Sequence, residues 1–512
     1  MTTENTSSGF RRDLIASYAS QGYVSVVTIF AVPLQAKAVG AEGFGLIGLM
    51  AVLQAWFFLL DFGRVAMVTR VSAQALVHAS KGFALHIILP STVRRMGSTA
   101  LLGALAVLLL SEYAADYWSE LKNIDPEQLA MCVRLIGAIV AVRFLSEVYR
   151  GTLTGLGHIA WLAGFNAVTG TLKNLAVLPL IAWAGQSEPA VIFFYFQLGI
   201  AALECSVLAI VAYGLLRNLR HGSICVDPAG YPATRFAWQM SAAAFLWVLV
   251  SQLDKMLLAG MLPLEQFGLF SLVTVLANGI LLIAIPFGML VPVRLTALGG
   301  PATEGALRFY RMVSRWAVVA VGAAAAVLVM HGSEVLKLWT GNPVVVAEAS
   351  ALLRYYALGN AVMAIAAFPY YLQFASGNLA LHVRGQVLFA VALAPLMFVA
   401  VSKFGMTGAG AAWMIINMLY ALVWIPLVHS RYSPRLNRHW LVEDVMPPVL
   451  GACGGAAVAA LVAPPTTRSL LALWVGGAVS LALLGAFFGA HLARRWWGVE
   501  SITQDREEDA KA

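Results

Sequence analysis

The sequence predicts an all-α polytopic membrane protein of about fourteen transmembrane helices, with two parallel six-helix repeats around a central cavity and two C-terminal helices beyond them. Three observations predict it. Of the 512 residues, 60% are hydrophobic and 11% charged, against roughly 25% charged in a soluble chain. Apolar runs reach the ~20 residues that an α-helix needs to cross hydrocarbon. The turn Glu42-Gly43-Phe44-Gly45-Leu46 also returns 223 residues later as Glu265-Gln266-Phe267-Gly268-Leu269, each time between two such runs.

Taken in order, the apolar runs fall at 14–36, 44–63, 96–111, 129–149, 161–184, 189–216 and 237–260, then at 268–290, 313–332, 348–372, 385–402, 408–428, 446–463 and 469–490. Charge, Gly or Pro breaks each from the next. The first two runs form a helical hairpin over 34–63, closing on Asp61-Phe62-Gly63-Arg64. Gly157 in GTLTGLGHI follows the fourth run, and Gly377 in FASGNLALH follows the tenth, 220 residues later. Helices 1 to 6 therefore map onto helices 7 to 12. Six is an even number, so both copies enter the bilayer from the same side and are parallel repeats. Helices 13 and 14 have no counterpart. Their spacings Gly451/Gly455 and Gly485/Gly489 predict close helix packing.

Charge sets the orientation. With the N-terminus inside, 23 of the 33 basic residues fall on inner segments and 5 on outer ones, a strong positive-inside bias. The net charge of +8 then reflects topology and anionic lipid rather than nucleic acid. The expected organisation is a cytoplasmic N-terminus 1–13, an N-terminal lobe 14–216 and a cytoplasmic linker 217–236. A C-terminal lobe 237–428, a cytoplasmic linker 429–445, helices 13–14 over 446–490 and a cytoplasmic tail 491–512 complete it. The amphipathic stretch 64–95 reads as a helix on the inner leaflet. The longest outer loop, 111–128, is acidic and short. No cleavable signal peptide follows the polar start. Cys132, Cys205, Cys225 and Cys453 show neither disulfide nor metal spacing, and the nine histidines form no cluster. These patterns argue against a metalloenzyme, and no cofactor is expected.

The Gly-bearing turn of the first hairpin with its L-D-x-G close, the run Y-R-G-x-L-x-G-L-G at 149–157 and S-Q-L-D-K-M-L-L at 251–258 come in order along fourteen helices. In this the chain resembles the bacterial oligosaccharide flippases of the multidrug/oligosaccharidyl-lipid/polysaccharide exporter superfamily. The resemblance implies alternating-access movement of an undecaprenyl-diphosphate-linked oligosaccharide to the outer leaflet of the bacterial inner membrane, for O-antigen, capsule or exopolysaccharide. It implies a polysaccharide polymerase and export machinery as neighbours. Related branches carry the peptidoglycan lipid precursor or expel cationic drugs. A cation-coupled exporter would want carboxylates in the N-terminal lobe, and helix 1 has none. A membrane-embedded polymerase or glycosyltransferase would want catalytic acids or arginines on a large outer loop. The 111–128 loop is small and holds no Arg or His, so an enzyme is not expected.

Intramembrane charges are costly and mark candidate sites. They are Arg134 and Arg143 on helix 4, Lys173 and Glu204 on helices 5 and 6, Asp254 and Lys255 on helix 7, and Arg354 on helix 10. Arginine forks suit phosphate oxygens, so Arg134, Arg354, Arg143, Lys173 and Lys255 are the candidate contacts for a lipid diphosphate. Glu147, Glu204 and Asp254 are candidate charge partners. Glu147 stands four residues from Arg143, and Glu204 can neutralise Lys173. Arg134 and Arg354 share the 220-residue offset of Gly157 and Gly377, which makes them either a paired cationic station or two anchors snorkelling to outer head groups.

The orientation has a direct test. In a cysteine-free background, Ser119→Cys should label with an impermeant thiol reagent in intact cells and Ser223→Cys should not; labelling at 223 reverses the topology.

Overall fold

The structure, a computed structural model, describes residues 3–61, 63–75, 79–117, 124–184, 188–217, 235–301 and 303–497. Among these residues every regular element is helical, and eleven helices are long and apolar enough to cross a membrane. Two of the eleven are merged pairs. The first, α1 (Thr3–Leu59), leaves helical geometry at Gly40, with φ 77°. The other, α13 (Ala380–His429), does so at Gly405, with φ 57°. Only glycine adopts such angles without strain. Dividing both and adding α8 (Arg235–Ala259) gives the fourteen expected helices.

The chain forms two compact units, Met1–Ala233 with Leu258–Leu272, and Thr234–Leu257 with Val273–Ala512. In the first unit α4 (Pro126–Gly155) is central. It packs against α1, α2 (Arg64–Ala75), α3 (Ala79–Tyr117) and α7 (Pro189–Arg217). The fifth span is α5 (Ile159–Thr171), a π-helical turn at Leu172–Ala176 and α6 (Val177–Ala184). The stretch 64–95 is not one surface helix. Its first part is α2, capped by Asp61, whose Oδ1 accepts from the Val65 amide at 3.1 Å. α2 is seated on α4 through Gly155, where a Cβ would lie 2.2 Å from the Thr69 carbonyl. Residues 79–95 instead extend α3, which runs through Pro90 to Tyr117. A proline inside a helix removes one hydrogen bond and can be absorbed as a bend. The third span is thereby far longer than 96–111. Residues 118–123 and 218–234 lie outside the described residues, so both labelling positions do as well.

The repeated turn earns its glycines through contact. A Cβ on Gly45 would lie 2.3 Å from the Leu264 carbonyl, and one on Gly268 2.2 Å from the Ala41 carbonyl. The two copies meet backbone to backbone inside the first unit. The second repeat marker is equally physical. Gly157 (φ 76°) ends α4, and Gly377 (φ 70°) ends α12 (Pro343–Ala375). At both ends three amides close the helix in the same register. Leu156, Gly157 and His158 donate to Thr152, Thr154 and Leu153; Ser376, Gly377 and Asn378 donate to Leu372, Phe374 and Gln373. Each partner is displaced by 220 residues, so the C-terminal ends of helices 4 and 10 share one register.

The second unit contains α9 (Leu264–Ala297) from Val273 onward, α10 (Glu304–Met330), the short α11 (Gly332–Thr340), α12 and α13. It ends with α14 (Leu436–His439), a π turn at Trp440–Val445, α15 (Met446–Ala459) and α16 (Arg468–Trp497). The 429–445 segment, expected as a linker, is helical from Leu436. Its π turn points the adjacent Glu443 and Asp444 at α10, where Arg311 bonds both at 2.5 and 2.6 Å and Arg315 also grips Asp444. Trp440 Nε1 donates to Ser314 Oγ at 2.9 Å. Buried charges demand such partners, and the cluster fastens the additional helices to α10.

α15 and α16 touch through glycine. A Cβ on Gly455 would lie 2.0 Å from the Leu481 carbonyl, whereas Gly454 has open space. Gly455→Leu should therefore lower the yield of folded protein and its Tm in detergent, and Gly454→Leu should leave both unchanged. Equal tolerance at the two positions would show the helices to be held by something other than this approach.

Candidate functional site

The first unit gathers three of the seven predicted intramembrane charges, Arg143, Lys173 and Glu204, into one cluster with Glu147. α4 supplies Arg143, Glu147 and Arg150, the π turn supplies Lys173, and α7 supplies Gln197 and Glu204. Arg143 does not pair with Glu147. Its Nη2 donates to Gln197 Oε1 at 2.8 Å, and its Nη1 makes a longer contact of 3.4 Å with Gln54 Oε1 on α1. Its Nε is buried without a hydrogen-bond partner. The carboxylates serve Arg150 instead, with Glu147 Oε1 at 3.6 Å from its Nε and Glu204 Oε1 at 3.5 Å from its Nη2. Arg150 also bonds Asn166 Oδ1. Glu204 therefore does not form its ion pair with Lys173. The Lys173 ammonium makes no ion pair or hydrogen bond among the described residues, although Glu204, Arg143, Arg150 and Glu147 all act on it electrostatically.

The π turn organises this chemistry. A π turn breaks the regular ladder and often lies at functional sites. Here it offers two carbonyls to side chains: Lys173 O accepts from Gln197 Nε2 and Asn174 O from Gln35 Nε2, both at 2.8 Å. Because the Gln197 amide nitrogen is held by the Lys173 carbonyl, its oxygen is turned to Arg143. Neutral amides thus satisfy Arg143 donors without cancelling its charge. A carboxylate in either place would cancel it.

The remaining candidates lie elsewhere. Arg134 bonds Glu112 at 3.0 Å and Ser111 at 3.1 Å, at the far end of α3. Arg354 is exposed on α12, beside Gly332 of α11. Asp254 and Lys255 diverge as neighbours on a helix must. Asp254 accepts from the Tyr356 hydroxyl at 2.8 Å, and Lys255 Nζ donates to Gln252 Oε1 at 3.3 Å. Intramembrane charge in the sequence does not mark Arg150, Gln54, Gln197 or Asn166. Arg150 stood at a helix end, and amides carry no charge. The available signal was an isolated amide inside an apolar run, as in LMAVLQAWFF and FFYFQLGIAA.

Removing Arg150 would leave Glu204, whose side chain is 4% exposed, as a buried carboxylate without its ion-pair partner. Arg150→Ala should cost about 3 kcal/mol and lower the Tm, and adding Glu204→Gln should restore most of that loss. Absence of any recovery in the double variant would show that the pair is not coupled.

No protein-family model matches the chain, and no curated protein matches it. Solved structures match its fold. It is similar to the lipid II flippase MurJ in an inward closed conformation, with TM-score 0.66 and 12% identity over 93% of this chain and 98% of that one. It is similar to an inward-facing multidrug resistance MATE transporter of the MOP superfamily, with TM-score 0.59 and 14% identity over 81% and 96% of the two chains. The MATE multidrug transporter DinF-BH follows at TM-score 0.55 and 14% identity over 85% and 97%. The chain is a multi-pass membrane protein with the fold of the MOP-superfamily transporters.

Proposed function

We propose that the protein is a flippase that carries an undecaprenyl-diphosphate-linked oligosaccharide from the cytoplasmic to the periplasmic leaflet by alternating access, with both termini cytoplasmic. The observation that carries the reading is Arg143, a cation within a membrane span whose hydrogen-bond acceptors are all neutral, the Gln54 and Gln197 amides and the Met50 sulfur, with the unpaired Lys173 ammonium beside it. Such a charge is retained in the membrane at a cost and calls for a mobile anion. Three cations face two carboxylates in this cluster, so it suits a diphosphate and repels a cationic drug. Arg134 is the weaker candidate, since Glu112 already neutralises it.

The transmembrane potential supports the direction. Each negative charge moved outward across an inside-negative membrane gains about 2.3 kcal/mol per 100 mV, so the head group runs downhill. The peptidoglycan lipid precursor is the second reading, favoured by the near-complete overlap with the MurJ fold. Both substrates share the lipid diphosphate and differ in the glycan.

Cells lacking the protein should lose one surface polysaccharide and accumulate its lipid-linked unit on the inner leaflet. Arg143→Ala should reproduce this at normal protein abundance. Gln54→Glu, which pairs Arg143 without removing a donor that it uses elsewhere, should lower transport at least tenfold. Intact polysaccharide with arrested peptidoglycan synthesis would favour the second reading, and intact polysaccharide with lost drug resistance would overturn both.

A further inference from the structure

The shared 220-residue register of the caps after helices 4 and 10 makes Arg150 and Tyr370 equivalent. Beyond the caps the offset becomes 221, since α5 starts at Ile159, two residues after Gly157, and α13 at Ala380, three after Gly377. In the first repeat Arg150 bonds Asn166 of the following helix at the edge of the cationic cluster. In the second repeat Tyr370 carries no charge. Tyr370 lies against His382 with ring centroids 4.4 Å apart, and His382 Nε2 is 3.4 Å from Gln386 Nε2. Trp424 packs directly over Gly385, where a Cβ would lie 2.3 Å from its ring, and stacks on Tyr420 at 5.8 Å and 14°.

Two features separate this cluster from ordinary core. Gln386 is only 9% exposed, and its Oε1 is buried without a partner. An unsatisfied acceptor of this kind is rare in native structures. The cluster also lies opposite the lipid-facing positions. On α13, Val387, Leu388 and Val391 are exposed, as are Leu419, Leu422 and Val423, whereas His382, Gln386, Tyr420 and Trp424 occupy the other faces. Tyr370, His382, Tyr420 and Trp424 each remain partly exposed there. Flat, partly exposed rings combined with a buried amide suit a ligand with apolar C–H faces and many hydroxyls. That ligand is a sugar.

We propose that Tyr370, His382, Gln386, Tyr420 and Trp424 form a glycan-binding site in the second repeat. The position that carries the Arg150 cation in the first repeat carries the Tyr370 ring in the second. The rings stack on pyranose faces, and the Gln386 oxygen accepts a sugar hydroxyl. The assignment rests on the flippase reading, because it presupposes a lipid-linked glycan.

The test titrates full-length detergent-solubilised protein with two probes. One is undecaprenyl diphosphate. The other is undecaprenyl diphosphate bearing the oligosaccharide, extracted from cells that lack the protein. The wild type should bind the glycan-bearing lipid on the order of tenfold more tightly than the bare one, as a few stacking and hydrogen-bonding contacts would give. Gln386→Leu and Tyr370→Leu should remove that increment and keep the affinity for the bare lipid, while Arg143→Ala should weaken both probes. If a leucine variant also loses the bare lipid, Gln386→Met decides, since it keeps the length of the side chain and removes the acceptor oxygen. Loss of the increment there supports the site, and its retention overturns it. A wild type that binds neither probe overturns the flippase reading and this site together. A wild type that binds the bare lipid without a glycan increment, or an increment that survives both leucine variants, overturns the glycan site and leaves the flippase reading standing.

Discussion

The structure depends on one constraint: inside a bilayer no water is present to satisfy a polar group. Backbone groups must bond within their own helix, and every charge must find a partner or a purpose. Helices packed in lipid gain little from burying apolar surface against one another, so close approach and polar contacts hold them together. The glycines at the repeated turn and along α15 and α16 serve close approach. The Arg311–Arg315–Glu443–Asp444 cluster shows the polar alternative. Both devices act where an ordinary hydrophobic core would be ineffective.

The same constraint separates charge that is matched within the protein from charge that is not. Arg311 and Arg315 are matched against two carboxylates, so their cost is offset within the protein. Arg143 is held by amides, and its Nε stays unbonded. Two π turns underlie the contrast. The turn at Trp440–Val445 brings two acids to two arginines, and the turn at Leu172–Ala176 presents a carbonyl that orients Gln197 toward Arg143. One closes a network and the other leaves a cation open.

Duplication explains the arrangement of the remaining chemistry. Identical caps at Gly157 and Gly377 preserve the helix geometry of both copies. Side chains at equivalent places were then free to differ, as Arg150 and Tyr370 do. The proposed substrate, with a charged diphosphate and an uncharged glycan, would offer each chemistry a role.

The sequence by itself determined the class, the fourteen helices and the repeat, because hydropathy and glycine signals act locally. An apolar run of spanning length has few alternatives in lipid, and a left-handed cap requires glycine wherever it recurs. Sequence also singled out Arg143, Lys173 and Glu204 as costly charges. It did not determine their partners. Spacing along α4 favoured Arg143 with Glu147, but Glu147 turned to Arg150, and Arg143 found Gln54 and Gln197 on other helices. Those contacts join residues 54 or 89 positions apart, and no local pattern encodes them. The continuation of α3 through Pro90 and the helical start at Leu436 were decided in the same way, since packing can absorb one missing hydrogen bond or stabilise a polar turn. Only the tertiary structure could do so, because in hydrocarbon the fate of a polar group depends on what the neighbouring helix presents.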